Sequence, residues 1–376
     1  MDERIYLDFN ASTPVAPEAA EVLTRLLAEG YGNPSSPHWA ARTAKDVIDR
    51  ARRQVAHLLN ADADEIVFTS GGTEAANTAI KGLFFKLGAP FHIVTTAIEH
   101  PATLQPCRFL ERLGASLTVV GVRPDGRVDP EEVRKAIHSD TRLIAVMHAN
   151  NETGVVQPVE EIAAIAKSVG ALLYVDAAQS VGKIPVDVRA LGADLLAVAG
   201  HKLYAPKGVG ALFIRRGVEL EPFMHGAGHE SGRRAGTEAV PMIAALGAAC
   251  EVAERLLPSS LLEISRRNYL FWRKLQDSLG DRVRLLGHPK LRLPNTSFVS
   301  FVGKSGPEIL AKTPLIAAST GSACHTGDVK PSPVLSAMGV PLEVSRGAIR
   351  FSIGRTTTIE EIDAAVTMLV KAVGDD

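Results

Sequence analysis

The chain has only three cysteines, Cys107, Cys250 and Cys324. An odd and sparse set suits a reducing cytosol better than a disulfide scaffold. No pair of them has metal-ligand spacing, which argues against a structural zinc site; no metal is expected. An excess of charge of either sign is also missing: 41 Lys and Arg balance 42 Asp and Glu, for a formal net charge of -1 over 376 residues. That balance gives no sign of a nucleic-acid or membrane surface. No apolar run reaches transmembrane length. The start, Met1-Asp2-Glu3-Arg4-Ile5-Tyr6-Leu7, is polar and acidic and passes straight into a strand-like segment. It lacks the basic region, apolar stretch and cleavage site of a secretory signal, so a cytoplasmic protein is expected. Internal repeats and low-complexity segments are missing too. What remains is a chain that is 46% hydrophobic, long enough for one large domain with a smaller companion.

Residues 5–10 read as a short strand, and helical spacing runs from Pro17 to Ala28 and from Trp39 to Asn60. Between these helices, Tyr31-Gly32-Asn33-Pro34-Ser35-Ser36-Pro37-His38 is too rich in proline and polar residues for regular structure. It is either a plain connection or a loop that shapes a pocket. From Glu65 onward, short apolar runs alternate with helical segments. Such alternation predicts a mostly parallel sheet covered by helices on both faces. The pattern changes near residue 250, where a helical stretch with a break at Pro258 runs to Leu279. Isolated strands, Asn295 to Val302 and Ala348 to Ile353, and two helices follow. We expect a large domain over residues 14–255 and a small α+β domain from residues 1–13 and 256–376.

Several strand ends carry chemistry. The run Asp194-Leu195-Leu196-Ala197-Val198-Ala199-Gly200-His201-Lys202 reads as a buried strand ending in a lysine. Sheets of this class offer their ligand site there. Partial burial would raise the share of free amine, which attacks carbonyls. On this stretch alone, a plain loop lysine remains the alternative. Ser70-Gly71-Gly72-Thr73-Glu74 joins a strand to a helix without the ending of a Walker loop or the dinucleotide glycine spacing. Its free N–H groups could hold a phosphate, or Ser70 or Thr73 could form a capping box. Asp176 closes another apolar run, where it could pair with a protonated pyridine nitrogen or cap the next helix, with Gln179 nearby. His100, in Glu99-His100-Pro101, could stack on a planar ring and shuttle protons. The segment His148 to Gly154 makes a further such end. Cys324 stands in the small, polar stretch Gly321-Ser322-Ala323-Cys324-His325. It is either a candidate nucleophile, with His325 to help ionise it, or a small residue in a turn.

Taken together, these motifs resemble pyridoxal phosphate enzymes of the aspartate aminotransferase fold, fold type I. Tyr6 to Ala11, Gly71 to Glu74, Glu99-His100-Pro101, His148 to Gly154, Val175 to Gln179, Gly200-His201-Lys202, Gly236-Thr237-Glu238 and Gly321 to Cys324 occur in order. In that order they are similar to the NifS/IscS-type cysteine desulfurases of the class V aminotransferase family. The resemblance implies an enzyme that converts L-cysteine to L-alanine and passes the sulfur through a persulfide on Cys324. The sulfur acceptor would be a protein of iron-sulfur cluster assembly or thio-modification. It further implies that Lys202 holds pyridoxal 5'-phosphate as a Schiff base, that Asp176 keeps the ring nitrogen protonated, and that His100 stacks on the ring. Gln179 and Asn151 would contact the ring oxygen or its surroundings. Gly72, Thr73, His201 and Ser180 would lie near the phosphate. Thr237 would reach the phosphate of a partner subunit, hence a homodimer. Arg350 would clamp the substrate carboxylate, assisted by Asn33. Cys324-His325 and Pro331-Ser332-Pro333-Val334-Leu335 look more like selenocysteine lyases, while the spacing from Cys324 to Pro331 is that of the NifS/IscS group. A selenocysteine lyase, or another cysteine C–S lyase, is therefore the alternative within the class. A non-catalytic assembly partner is the alternative outside it.

Overall fold

The computed structural model describes residues 4–320 and 332–374. The chain opens with β1 (Ile5–Tyr6), α1 (Pro17–Glu29) and α2 (Trp39–Leu59). It then alternates through β2 (Ile66–Thr69), α3 (Gly72–Leu87), β3 (His92–Thr96), α4 (Pro101–Glu111), β4 (Ser116–Val120) and α5 (Pro130–Lys135). The alternation continues with β5 (Thr141–Met147), α6 (Val159–Val169), β6 (Leu172–Asp176), β7 (Leu195–Ala199) and β8 (Gly210–Ile214). The last third holds α7 (Val240–Leu279), β9 (Val283–Leu285), β10 (Thr296–Phe301), α8 (Gly306–Lys312), β11 (Ile316–Ala317) and β12 (Ser319–Thr320). It closes with α9 (Pro333–Ala337), α10 (Leu342–Ser345), β13 (Ala348–Ser352) and α11 (Ile359–Gly374). No helix among the described residues is long and apolar enough to cross a membrane.

The large sheet has seven strands in the order β2-β8-β7-β6-β5-β3-β4. Pairs among β3 to β7 are parallel, and β8 runs antiparallel to both β2 and β7. The apolar runs of these strands are continuous because both faces are covered. Along β7, Leu196 and Val198 enter a core shared with α1, α2, α6 and α7. Leu195 and Ala197 enter the opposite core, against α3 and α4. Each buried leucine or valine of this kind contributes about 1.5–3 kcal/mol. The result is the α/β fold, with a mixed, mainly parallel sheet and a smaller domain.

That smaller domain is built on the four-stranded sheet β12-β13-β10-β9. Its core joins Val299, Phe301, Ile349 and Phe351 to Phe271 and Leu275 of α7 and to Leu369 of α11. Two details depart from the expectations. The first strand stops at Tyr6, and a turn over residues 9–11 follows. Pro258 does not break α7, which runs through it for 40 residues. Pro258 is solvent-exposed, so water can take the carbonyl that proline leaves without an N–H. The two halves of α7 are anchored in different cores, through Ile243 to Cys250 on one side and Phe271 to Leu279 on the other.

Candidate active site

Parallel strands bring their carboxyl ends to one edge, and the register aligns them closely. Asp176 pairs with Met147 of β5 and with Ala197 of β7. Polar residues placed just after each strand therefore converge. They line a cavity of about 360 Å³ with Asn10, Gly72, Thr73, His100, Asn151, Asp176, Gln179, His201, Lys202 and Arg350 among its walls. That volume lies in the range of small-molecule sites.

Lys202 follows β7 in a short helical turn, Gly200–Lys202. Its Nζ donates to the backbone carbonyls of Asn10, at 2.7 Å, and Ala11, at 2.8 Å. Burial, and then the Arg350 guanidinium, push its amine down to about 8, against the pull of Asp8 and Asp176. Such a lysine is a far better nucleophile than an exposed one.

Asp176 is the last residue of β6 and is buried. One carboxylate oxygen accepts the Ala178 N–H at 2.9 Å in a local turn, and no helix among the described residues lies between β6 and β7 for Asp176 to cap. The residue nonetheless faces the cavity. Burial raises its pKa, opposed by the Ala178 bond, His100 and Lys202. His100 caps α4, its Nδ1 accepting the Ala102 N–H at 3.0 Å. That bond leaves the ring proton of the neutral form on Nε2. Partial desolvation lowers its pKa, and Asp176 opposes the shift.

The start of α3 settles the question of its cap. Gly71 is the N-cap residue, at φ 147°, and no side chain caps the helix. That φ suits glycine and few other residues. Glu74 bonds instead to the Ser70 N–H at 2.8 Å and pairs with Arg234. The first N–H groups of the helix thus stay available at the cavity wall, where a phosphate is favoured. His201 adds a buried Nδ1 with no hydrogen-bond partner. A lysine with a lowered pKa, a carboxylate, an uncapped helix start and an orphaned imidazole nitrogen match the functional groups of pyridoxal phosphate: aldehyde, ring nitrogen and phosphate.

Arg350, in β13, is buried and lines the same cavity. Its Nη2 pairs with Asp8 at 2.7 Å, and its Nη1 donates to the Asn151 carbonyl at 2.9 Å. Its Nε is buried without a partner. Two of five N–H donors are therefore engaged, and the others remain for a ligand.

The other expected site residues lie apart. Ser180 is fully buried, bonded to His148 Nδ1 at 2.9 Å, and does not line the cavity. Asn33 is exposed and turns its Oδ1 to the Ser35 N–H at 2.9 Å. Thr237 is exposed and likewise away from the cavity walls. Cys324 and His325 lie outside the described residues. The two described cysteines are buried, and burial pushes both thiols up to about 12.

Three residues escaped the sequence reading. Asn10 is wholly buried and bridges both domains; its side chain donates to Thr296 Oγ1 at 2.9 Å and accepts from Asn295 at 3.0 Å. Lys183 donates to Asn10 Oδ1 at 2.9 Å and to Gln179 Oε1 at 2.8 Å. Glu99 accepts from the Thr96 hydroxyl at 2.6 Å and the Met147 N–H at 3.0 Å, tying the ends of β3 and β5. Burial pushes its carboxyl up to about 8. The one group of metal-type side chains among the described residues, His92, His138 and Asp140, is at the far end of β3. Its imidazoles stack 4.1 Å apart, and both His92 nitrogens already bond threonine hydroxyls. Stacked rings cannot both aim in-plane lone pairs at a single ion.

The family profile described as aminotransferase class-V matches residues 5–365. A cysteine desulfurase IscS of Dictyoglomus turgidum is 43% identical over 376 residues, covering 99% of this chain and 95% of its own. A solved structure described as a NifS-like protein superposes with a TM-score of 0.93 at 34% identity, over 99% of this chain and 100% of that one. A second, described as SspA in complex with cysteine, superposes with a TM-score of 0.80 at 34% identity, over 93% of this chain and 98% of that one. The chain therefore belongs to the class-V aminotransferase family of pyridoxal phosphate-dependent enzymes, as a close relative of the IscS/NifS cysteine desulfurases.

Proposed function

We propose that this protein is a cysteine desulfurase that binds pyridoxal 5'-phosphate in the cavity around Lys202. The observation that carries the reading is the convergence of Lys202, Asp176, His100 and the uncapped start of α3 in that one cavity. The relative solved with cysteine supports the substrate class. Lys202 would hold the cofactor's aldehyde carbon, Asp176 its ring nitrogen, and Gln179 and Asn151 its ring oxygen and surroundings. Gly72, Thr73 and His201 would hold the phosphate. When bound, the cofactor withdraws electrons from the substrate Cα.

This chain's own residues then supply binding and proton movement. Arg350 has donors left for the substrate carboxylate, and a guanidinium–carboxylate pair fixes orientation as well as charge. Lys202, with its lowered pKa, can take a proton near neutral pH and return it. His100 is the second group able to move one, at Nε2. The sulfur of L-cysteine would pass to Cys324, so that cysteine and a thiol become alanine and an enzyme persulfide. Cys107 and Cys250 are poor candidates for that task, since their burial disfavours the thiolate. An acceptor protein would then take the outer sulfur. Thr237, which is exposed, would reach the phosphate site of a second copy of the chain, and a homodimer is part of the proposal. The division between domains would fall within α7, near residues 255–256, and the cytoplasm is the expected location.

Incubation with L-cysteine tests the reading directly. Alanine and protein-bound sulfane sulfur should appear in equal amounts. Pyruvate or free sulfide without bound sulfane sulfur would instead mark another C–S lyase. The Cys324-His325 pair keeps selenocysteine as the competing substrate, and relative rates on the two amino acids decide between them.

A further inference from the structure

Lys183 lies outside the cavity walls but touches a residue that forms them. Its Nζ donates to Gln179 Oε1 at 2.8 Å and to Asn10 Oδ1 at 2.9 Å. Gln179 is buried, and its Nε2 donates to the Asn10 carbonyl at 3.0 Å. A backbone carbonyl can only accept, so the Gln179 atom facing the Asn10 carbonyl is the amide nitrogen, and the Lys183 amine donates to the oxygen at the other end. The two contacts therefore fix which end of the Gln179 amide is oxygen and which is nitrogen. They leave one N–H of Nε2 uncommitted on a residue that lines the cavity.

We infer that Lys183 is a positioning residue, which locks the Gln179 amide so that the cavity meets an N–H donor rather than a carbonyl acceptor. The inference rests on reading the cavity as a pyridoxal phosphate site. The group served is the oxygen substituent of the ring. The surroundings suit the task. Burial, then Lys202 and Arg350, hold the Lys183 amine well below its usual range. Two acceptors, Gln179 Oε1 and Asn10 Oδ1, are within reach of its Nζ. Without Lys183, Gln179 Oε1 would be a buried acceptor with no donor. The amide would then turn in search of one, and Nε2 would leave its place.

The test compares two ligands on cofactor-free protein, pyridoxal 5'-phosphate and its 3-deoxy analogue, with affinities measured by calorimetry. The unmodified protein should prefer the 3-hydroxyl compound. Lys183→Met should weaken that compound about tenfold, the effect of about one hydrogen bond to a charged oxygen. Affinity for the 3-deoxy analogue should stay within about twofold, which is the thermal spread of one weak contact. Gln179→Leu should give the same pattern, and the double variant should lose nothing further. Lys183→Gln is too short to span both acceptors and gives the same readout if the methionine variant does not accumulate. Equal losses for both ligands, or additive losses in the double variant, would overturn the positioning role while leaving the cavity's assignment intact. Failure of the unmodified protein to bind either ligand would remove the assignment, and this role with it.

Discussion

Lys202 offers the sharpest quantitative expectation. Its amine is moved from an ordinary value of 10.5 to about 8. At pH 7, roughly one molecule in eleven then carries the free amine, against about one in three thousand for an unperturbed lysine. The gain in reactive form is about three-hundredfold. Burial is the largest cause and Arg350 the next, so the effect can be dissected. Arg350→Met removes a positive neighbour and also releases Asp8, whose charge favours the ammonium. Both changes have the same sign and raise the amine's pKa. Acetylation of Lys202 by acetic anhydride, followed by peptide mass spectrometry across a pH series on cofactor-free protein, reads the free amine directly. Half-maximal labelling is expected near 8 in the unmodified protein and closer to 10.5 in Arg350→Met. An unperturbed midpoint in the unmodified protein, or a fall in the variant, would refute the account.

The other expectations are simpler. Cys324→Ser should abolish protein-bound sulfane sulfur from L-cysteine while leaving the visible absorption of added pyridoxal 5'-phosphate; Cys107→Ala and Cys250→Ala should leave sulfur transfer in place, and labelling with radioactive cysteine separates them. Glu230 receives two 2.7 Å bonds from Arg52 and one from the Phe68 N–H at 2.9 Å, at the edge of β2. Glu230→Ala leaves that largely buried guanidinium unpaired and should cost about 3–5 kcal/mol in urea unfolding; a loss below about 1 kcal/mol would mean that the pair is as weak as an exposed one. Gly210 is where β8 passes the Gly71 turn at the start of α3: an added Cβ would stand 2.5 Å from the Val198 carbonyl oxygen and 2.7 Å from Gly71 Cα. Gly210→Ala should therefore cost about 1–3 kcal/mol and weaken binding of inorganic phosphate by displacing Gly71, both measurable by thermal shift with and without phosphate.

Most of the large sheet is legible because its strands are buried on both faces and flanked by amphipathic helices. Leu195 to Ala199 shows the rule: a continuous apolar run in sequence becomes alternation between two cores in space. Lys202, Asp176 and His100 are legible for a related reason. A polar residue just past a buried strand has few places to go, and parallel strands send all such residues to one edge. Asn10 and Lys183 are not legible in this way. Asn10 sits in a turn where the sequence pattern suggests a continuing strand, and its partners Asn295 and Ser352 come from the far end of the chain. Lys183 reads as an ordinary loop lysine until the fold places it 2.8 Å from Gln179. Pro258 misleads because local propensity is overridden when both halves of α7 are anchored in separate cores.

The reach of Asn10 bears on the chemistry of Lys202. A free amine has two N–H bonds and one lone pair. Both N–H bonds of Lys202 have acceptors, the carbonyls of Asn10 and Ala11. In that arrangement the lone pair is the only feature of the amine without a partner, and the cavity is the open space beside it. The turn that supplies these carbonyls is held by the smaller domain, through the Asn10 N–H to Ser352 Oγ at 2.9 Å and its side chain to Thr296 and Asn295. Where the Lys202 amine points thus depends on how the smaller domain holds a turn more than 190 residues away in sequence. Burial sets how often the amine is free, and this turn sets where it points.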